Sequence, residues 1–295
     1  MAAVPDLDID TLQAPWQPRL QMLGMSAREA TRPPILMVHG AYTHAASWMR
    51  TFMPWFAARG HDVHALSLRG HGGSDGRHLI DAWGLDDYRA DVEHALAAFG
   101  RAAIGFGSSM GGLVVQRLLA TGARPHAAVL LSSVPPGGLM GSVSRMALRR
   151  PQALGNLVQV ALGQRDGRGL LELLAHDPLS PDSGMPLSSL LGRESSRALW
   201  EMTWAPMGLL GNATTEVPML AIHGEQDLMI PASAVDEIAA RWGAHTLRAS
   251  GVGHVPMIER RWRTVATAIA RWLDRGAGPA AGPARSRRIR AGGSR

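Results

Sequence analysis

A serine hydroxyl is a weak nucleophile, and it becomes a useful one only with a base in hydrogen-bond reach and a third group that orients the base. This chain carries candidates for all three roles. Ser109 sits in Gly107-Ser108-Ser109-Met110-Gly111, a G-x-S-x-G frame between the short apolar segment Ala102–Phe106 and the stretch Gly111–Ala120, whose apolar residues recur at helical spacing. A serine on such a strand-to-helix turn projects its hydroxyl above a sheet edge, close to the first amides of the helix. Small neighbours such as Gly107 and Gly111 permit the strained backbone that this turn requires. Asp227 follows the apolar segment Met219–His223, and His254 follows Thr246–Ala249 within Gly251-Val252-Gly253-His254-Val255-Pro256. Loops past the carboxyl ends of parallel strands gather at one edge of a sheet, so Ser109, Asp227 and His254 can converge despite their separation. Glu225, two residues before Asp227, is the alternative acid.

Attack by a serine on a carbonyl creates an oxyanion that needs amide donors, and losing one donor typically removes roughly 2.7 to 4 kcal/mol of transition-state stabilisation. Met110 N–H, immediately after the serine, is one candidate. The loop His39-Gly40-Ala41-Tyr42, after a segment ending at Val38, supplies the other through Ala41 N–H, with Tyr42 N–H as the fallback. Gly40 lets the backbone approach the oxyanion closely. Residues expected around a substrate are Tyr42, His44, Met140, Trp200, Trp204, Met229 and Val255. Met146, Met185, Met202 and Met207 are further candidates for a lipophilic lining, although methionine is also a common core filler. His39 and His71 are read as loop braces, and His44 and His223 as neighbours of the site or its rim. His61 and His64 are three apart, but on a turn and a strand rather than one helix face, so no metal site is expected, and no cofactor.

These loops need a scaffold, and the chain supplies its pattern. Strand-like segments fall at Leu20–Met25, Ile35–Val38, Val63–Ser67, Ala102–Phe106, Ala127–Ser132, Met219–His223 and Thr246–Ala249. Between them lie amphipathic helical stretches at Trp48–Arg59, Leu85–Phe99, Met110–Thr121, Ala232–Trp242 and Glu259–Arg275. The alternation predicts an α/β chain, a mostly parallel sheet with helices on both faces. From 134 to 216 the rhythm breaks into leucine- and methionine-rich helical patches separated by proline and glycine turns. That segment reads as a helical insertion at the carboxyl edge of the sheet, interrupting a core of residues 20–133 and 217–275. An extension, 1–19, precedes the core.

With 295 residues and 46% hydrophobic content the chain can bury a full core. Its net charge of +6 suggests an anionic partner at first, but five arginines after Arg275 leave only +1 for the rest. Residues 276–295 read as a disordered tail of Arg, Gly, Ala and Pro, with no aromatic residue among its arginines, so no nucleic acid partner is expected. Cysteine is absent, which excludes disulfides and thiolate chemistry. Met1–Asp10 is acidic and lacks the features of a secretory signal, and no apolar run reaches membrane-spanning length, so a cytoplasmic protein without an integral membrane segment is expected.

Four motifs in this order, His39-Gly40 with Trp48 downstream, Arg69-Gly70-His71-Gly72-Gly73-Ser74, the Ser109 turn, and the Asp227 and His254 loops, make the chain resemble the α/β-hydrolase superfamily, in particular its capped lipase- and esterase-like branch, as in monoacylglycerol lipases, lysophospholipases and carboxylesterases. The resemblance covers residues 20–275. It implies an α/β-hydrolase fold with an eight-stranded, mostly parallel sheet and a helical cap, 134–216, between strands six and seven. It also implies a Ser109–His254–Asp227 triad. Where many relatives have histidine directly before the nucleophile, this chain has Ser108. Relatives that hydrolyse haloalkanes or epoxides carry a carboxylate at the turn, and Ser109 argues against both. The expected activity is hydrolysis of carboxylic esters of small-to-medium apolar substrates through an acyl-enzyme. Other chemistry open to the same triad is carbon–carbon bond hydrolysis, acyl transfer, lactone hydrolysis or cofactor-free perhydrolysis, and a non-catalytic ligand-binding protein is the alternative of another class.

Overall fold

The computed structural model describes residues 7–12, 18–100, 102–161, 173–179, 187–204, 210–276 and 287–289. Nine strands form one sheet: β1 Leu7–Leu12, β2 Leu20–Met25, β3 Ile35–Val38, β4 Val63–Leu66, β5 Ile104–Ser108, β6 Ala127–Leu131, β7 Met219–Gly224, β8 His245–Ala249 and β9 Arg287–Ile289. Their spatial order is β1-β2-β4-β3-β5-β6-β7-β8-β9. β2 runs antiparallel to both β1 and β4, and every other pairing is parallel.

Period-two alternation sorts the side chains of each central strand to opposite faces. Ile35 and Met37 of β3, with Ile104 and Phe106 of β5, enter the core under helices α1 (Phe52–Ala57) and α8 (Trp262–Asp274). Leu36 and Val38 enter the opposite core, under α2 (Leu85–Ala97), α3 (Met110–Ala120) and α7 (Ser233–Trp242). Both faces are therefore covered, as a parallel sheet demands. Ion pairing fixes the loop after β4 to α2, where Arg69 Nη2 lies 2.6 Å from Asp91 Oδ1 in a buried setting.

The strands expected from sequence match the observed ones to within two residues, with two additions. β1 lies in the extension 1–19, where the alternation Leu7-Asp8-Ile9-Asp10 marks a strand behind an acidic composition. β9 lies in the arginine-rich tail read from composition as disordered; it pairs with the outer edge of β8, whose N–H and C=O groups would otherwise lack strand partners. The remainder of that tail lies outside the described residues.

The insertion leaves the sheet after β6 and returns at β7. Its described part holds α4 (Met140–Arg149), α5 (Pro151–Ala161), a 3-10 turn at Leu187–Leu190 and α6 (Ser196–Trp204), with no strand among these residues. It sits on the core through polar contacts. Glu201 accepts from Leu85 N–H at 2.7 Å, and Ser195 donates its hydroxyl to Trp83 O.

Candidate active site

Ser109 occupies the junction of β5 and α3 with φ 50° and ψ −115°. A non-glycine residue held there is strained, by roughly 1 to 3 kcal/mol. Backbone bonds hold it in place: its N–H donates to Leu131 O at 3.0 Å, and its carbonyl accepts from Gly112 and Val134 N–H at 3.0 and 3.2 Å. The flanking glycines serve close approach rather than a positive φ. A Cβ on Gly107 would stand 2.4 Å from Gly111 O, and one on Gly111 would stand 2.5 Å from His39 O. A Cβ on Gly40 would stand 3.0 Å from Ser109 Cβ, so the loop after β3 packs directly against the serine.

Asp227 and His254 meet at the ends of β7 and β8. Asp227 Oδ1 accepts from Met229 and Ile230 N–H at 2.8 and 2.9 Å, an Asx-type turn that leaves Oδ2 free to face the histidine. Oδ2 accepts from His254 Nδ1 at 2.8 Å, with both side chains buried. The proton on Nδ1 leaves Nε2 as the basic nitrogen. Asp227, not Glu225, therefore holds the ring.

The two loops can abut only because β7 ends in Gly224, where a Cβ would stand 2.2 Å from Gly253 O. Gln226 Oε1 accepts from Gly251 and Val252 N–H at 2.6 and 3.0 Å, and the buried Glu259 carboxylate accepts from Gly253 N–H at 2.8 Å. Burial raises the Glu259 pKa against these hydrogen bonds. His254 N–H itself donates to Leu174 O, so the insertion braces this loop too. Sequence reasoning missed these supports, although the Gly224 position directly after a strand was a usable signal.

Ser109, His254, Gly40 and Ala41 line one cavity of about 350 Å³. Its walls are aliphatic, from Val143 and Leu154 to Leu199 and Ile258, with Trp204 and Val158 lining it while half exposed, where it opens to solvent. Tyr42, Trp204, Met229 and Val255 line it as expected, and so does Met202. Three expected lining residues do not. His44 turns its Nε2 to Ser189 O at 3.1 Å and borders a separate cleft; its Nδ1 accepts from Ala46 N–H. Trp200, 59% exposed, is not part of the lining, although Trp204 one helical turn later is. Met140, at the start of α4, does not line the cavity although Leu139 and Val143 beside it do, and Met146 is buried outside the lining. Met185 and Met207 lie outside the described residues.

Of the two N–H groups expected to hold an oxyanion, Ala41 belongs to a residue that lines the cavity with Ser109, and Met110 directly follows Ser109 at the start of α3. Tyr42 N–H, the fallback, is committed to Glu194 Oε2 at 3.2 Å. His39 braces its loop, donating Nδ1–H to Gly40 O at 2.9 Å and accepting from Leu68 N–H at 3.1 Å, and burial, then the nearby His71, holds its pKa well below the ordinary value. His71 is the opposite case. Burial alone would lower its pKa, but the Glu194 carboxylate 3.1 Å from Nε2, with Arg69 O at Nδ1, raises it. His223 is buried beside Asp227 and His254, which excludes a rim position, and burial lowers its pKa. His61 bonds Pro33 O and His64 packs edge-on to Phe99, so the pair shares no site.

The chain has counterparts among known proteins. A model of the alpha/beta hydrolase family matches residues 35–268. The chain is 30% identical over 249 residues to the pimeloyl-[acyl-carrier protein] methyl ester esterase of Xanthomonas campestris pv. campestris, spanning 77% of this chain and 89% of the relative. Among solved structures, an epoxide hydrolase from an endophytic Streptomyces superposes with a TM-score of 0.70 at 19% identity, over 97% of this chain and 99% of that one. The 2-hydroxy-6-oxo-6-phenylhexa-2,4-dienoate hydrolase of Rhodococcus sp. strain RHA1 superposes with a TM-score of 0.68 at 21% identity, over 91% and 100%. No helix among the described residues is long and apolar enough to cross a membrane.

Proposed function

Because the chain belongs to the alpha/beta hydrolase family, we propose that it hydrolyses carboxylic esters of small-to-medium apolar substrates through an acyl-enzyme on Ser109. The observation that carries this reading is the buried Asp227–His254 pair opening, with Ser109, onto one aliphatic cavity. His254 Nε2 takes the Ser109 proton as the hydroxyl oxygen attacks the ester carbonyl. Ala41 and Met110 N–H stabilise the resulting oxyanion. His254 then returns the proton to the departing alkoxide, and the alcohol leaves. A water deprotonated by His254 attacks the acyl-enzyme, the second tetrahedral intermediate collapses, and the carboxylic acid departs with Ser109 reprotonated.

The residues around the cavity support the substrate class. At about 350 Å³ it sits at the small end of ligand pockets, and apart from Ser109 and His254 its lining is dominated by apolar side chains that suit a medium acyl chain. The Xanthomonas relative acts, by its name, on a methyl ester, which agrees with a small alcohol group. A p-nitrophenyl ester series of increasing acyl length, run beside fluorophosphonate labelling, tests both parts. Turnover that peaks at medium acyl length, with one label per chain on Ser109, is the expected result; folded protein that neither labels nor turns over any ester refutes the hydrolase reading.

A further inference from the structure

The Glu194 carboxylate is fully buried and lies in the insertion, not in the α/β core. Four donors converge on it. Oε2 accepts from Tyr42 N–H at 3.2 Å and His71 Nε2–H at 3.1 Å, and Oε1 accepts from Tyr88 O–H at 3.0 Å and its neighbour Ser195 N–H at 2.7 Å. Asp91 stands behind His71 and Tyr88, bonded to Arg69, and the His39 ring lies tilted against His71 with centroids 4.9 Å apart. A carboxylate taken wholly from water is tolerable because each oxygen is satisfied by two donors.

The Tyr42 peptide is gripped from both sides by this one stretch of the insertion. Glu194 holds its N–H, and Gly192 N–H donates to its carbonyl at 2.7 Å. A third tie joins His44 to Ser189 O. Tyr42 is one of only three non-glycine residues with positive φ among the described residues, at 64°. Tyr42 is the third residue of a turn that Thr43 N–H closes on Gly40 O at 3.3 Å, and Ala41 N–H lies in the Gly40–Ala41 peptide that opens this turn, so holding Tyr42 left-handed holds the turn that carries the Ala41 N–H.

We infer that Glu194 is a positioning residue for the oxyanion donor: from the insertion it clamps Tyr42 N–H, holds the left-handed turn and thereby aims Ala41 N–H at the cavity. The oxyanion geometry then exists only while the segment 189–194 is seated on the core. This rests on the role proposed above for Ala41, and it adds a contribution of the insertion to the rate as well as to substrate fit.

The test compares Glu194→Gln with Glu201→Gln, which weakens another polar tie between the insertion and the core, at Leu85 N–H, without touching the 40–44 loop. The amide in Glu194→Gln offers one acceptor oxygen where four donors converge, so the clamp loosens. Expected for Glu194→Gln is amide hydrogen exchange across residues 40–44 at least about tenfold faster, and a kcat about 10- to 100-fold lower with KM within about threefold, since one misaimed donor approaches the loss of one donor. Expected for Glu201→Gln is neither change. If Glu194→Gln does not fold, Glu194→Asp, which keeps the charge but falls a methylene short of Tyr42, carries the same readouts. Unchanged exchange across 40–44, or equal loss of kcat in the Glu194 and Glu201 variants, overturns the inference. A wild-type protein that turns over no ester refutes the hydrolase reading, while the exchange readout still decides the clamp.

Discussion

Gly111→Ala is the sharpest mutational test of how the site is built. The added Cβ would lie 2.5 Å from His39 O and 2.6 Å from Val38 O, both backbone atoms at the end of β3 that cannot rotate away. Ordinary contact begins near 3.4 Å, so the first turn of α3 and the end of β3 must part by about 0.9 Å. Those two elements carry the two proposed oxyanion donors, Met110 N–H on one and Ala41 N–H just past the other. Displacements near 1 Å can lower turnover on the order of 10²-fold, and overpacking of a dense site costs roughly 1 to 3 kcal/mol of stability. We expect kcat on a p-nitrophenyl ester to fall about 100-fold while the thermal midpoint drops by several degrees. Gly105→Ala on β5 is the control, because its Cβ would meet Val115 Cγ1 at a normal 3.7 Å. A folded Gly111→Ala protein with kcat within about threefold of wild type, measured against titrated active sites, would refute the claim that close approach at this glycine sets the donor spacing.

Further expectations follow from particular contacts. Asp227→Asn keeps the carbonyl that accepts from Met229 and Ile230 N–H but offers His254 the wrong partner, so kcat should fall about 10⁴-fold with little change in fold, read by steady-state kinetics and circular dichroism. Trp204→Ala should raise KM for the longer acyl esters, whereas Trp200→Ala, four residues earlier and outside the cavity lining, should leave the chain-length profile unaltered. The His71–Glu194 pair predicts a pH dependence of stability. His71 is raised in the folded protein, so its contribution is complete below the unfolded value near 6.5 and declines as pH rises through the folded one. The buried His39 and His223 are lowered, and their effect has the opposite sign, with stability lost as pH falls through about 6.5. Urea midpoints between pH 5 and 9 should therefore pass through a maximum, and His71→Gln should flatten the alkaline side; an unchanged alkaline slope in that variant would exclude the pair as its source.

Much of the site was legible in the sequence because its chemistry is punctuated by local signals. Gly107, Ser109 and Gly111 mark a turn whose neighbours switch from a strand-like to a helix-like pattern, and Asp227 and His254 each follow a short apolar run. The central strands announced themselves as buried β-rich segments of four to six residues, and the two edge strands did not: Leu7–Leu12 hides in an acidic stretch, and Arg287–Ile289 has no strand pattern at all. The cavity lining was read correctly where a residue sits beside a motif, as with Tyr42, Met229 and Val255. It failed for Met140 and Trp200, because composition says which residues are apolar but not which way a helix of the insertion is rotated, and for His44, whose ring is taken by Ser189 O of the insertion.

Sequence by itself determined the alternating α/β scaffold, the candidate serine and histidine with two candidate acids, and the place where an insertion leaves the sheet, since each is written in spacing within a few residues. Tertiary structure alone decided that Asp227 rather than Glu225 holds His254, that Gly224 and Glu259 support the histidine loop, and that Glu194 closes on Tyr42, His71 and Tyr88. The partners of Glu194 lie 106 to 152 residues away along the chain. A carboxylate at the surface and one buried among four donors read identically in sequence, and only packing, which removes water from one of them, makes the difference.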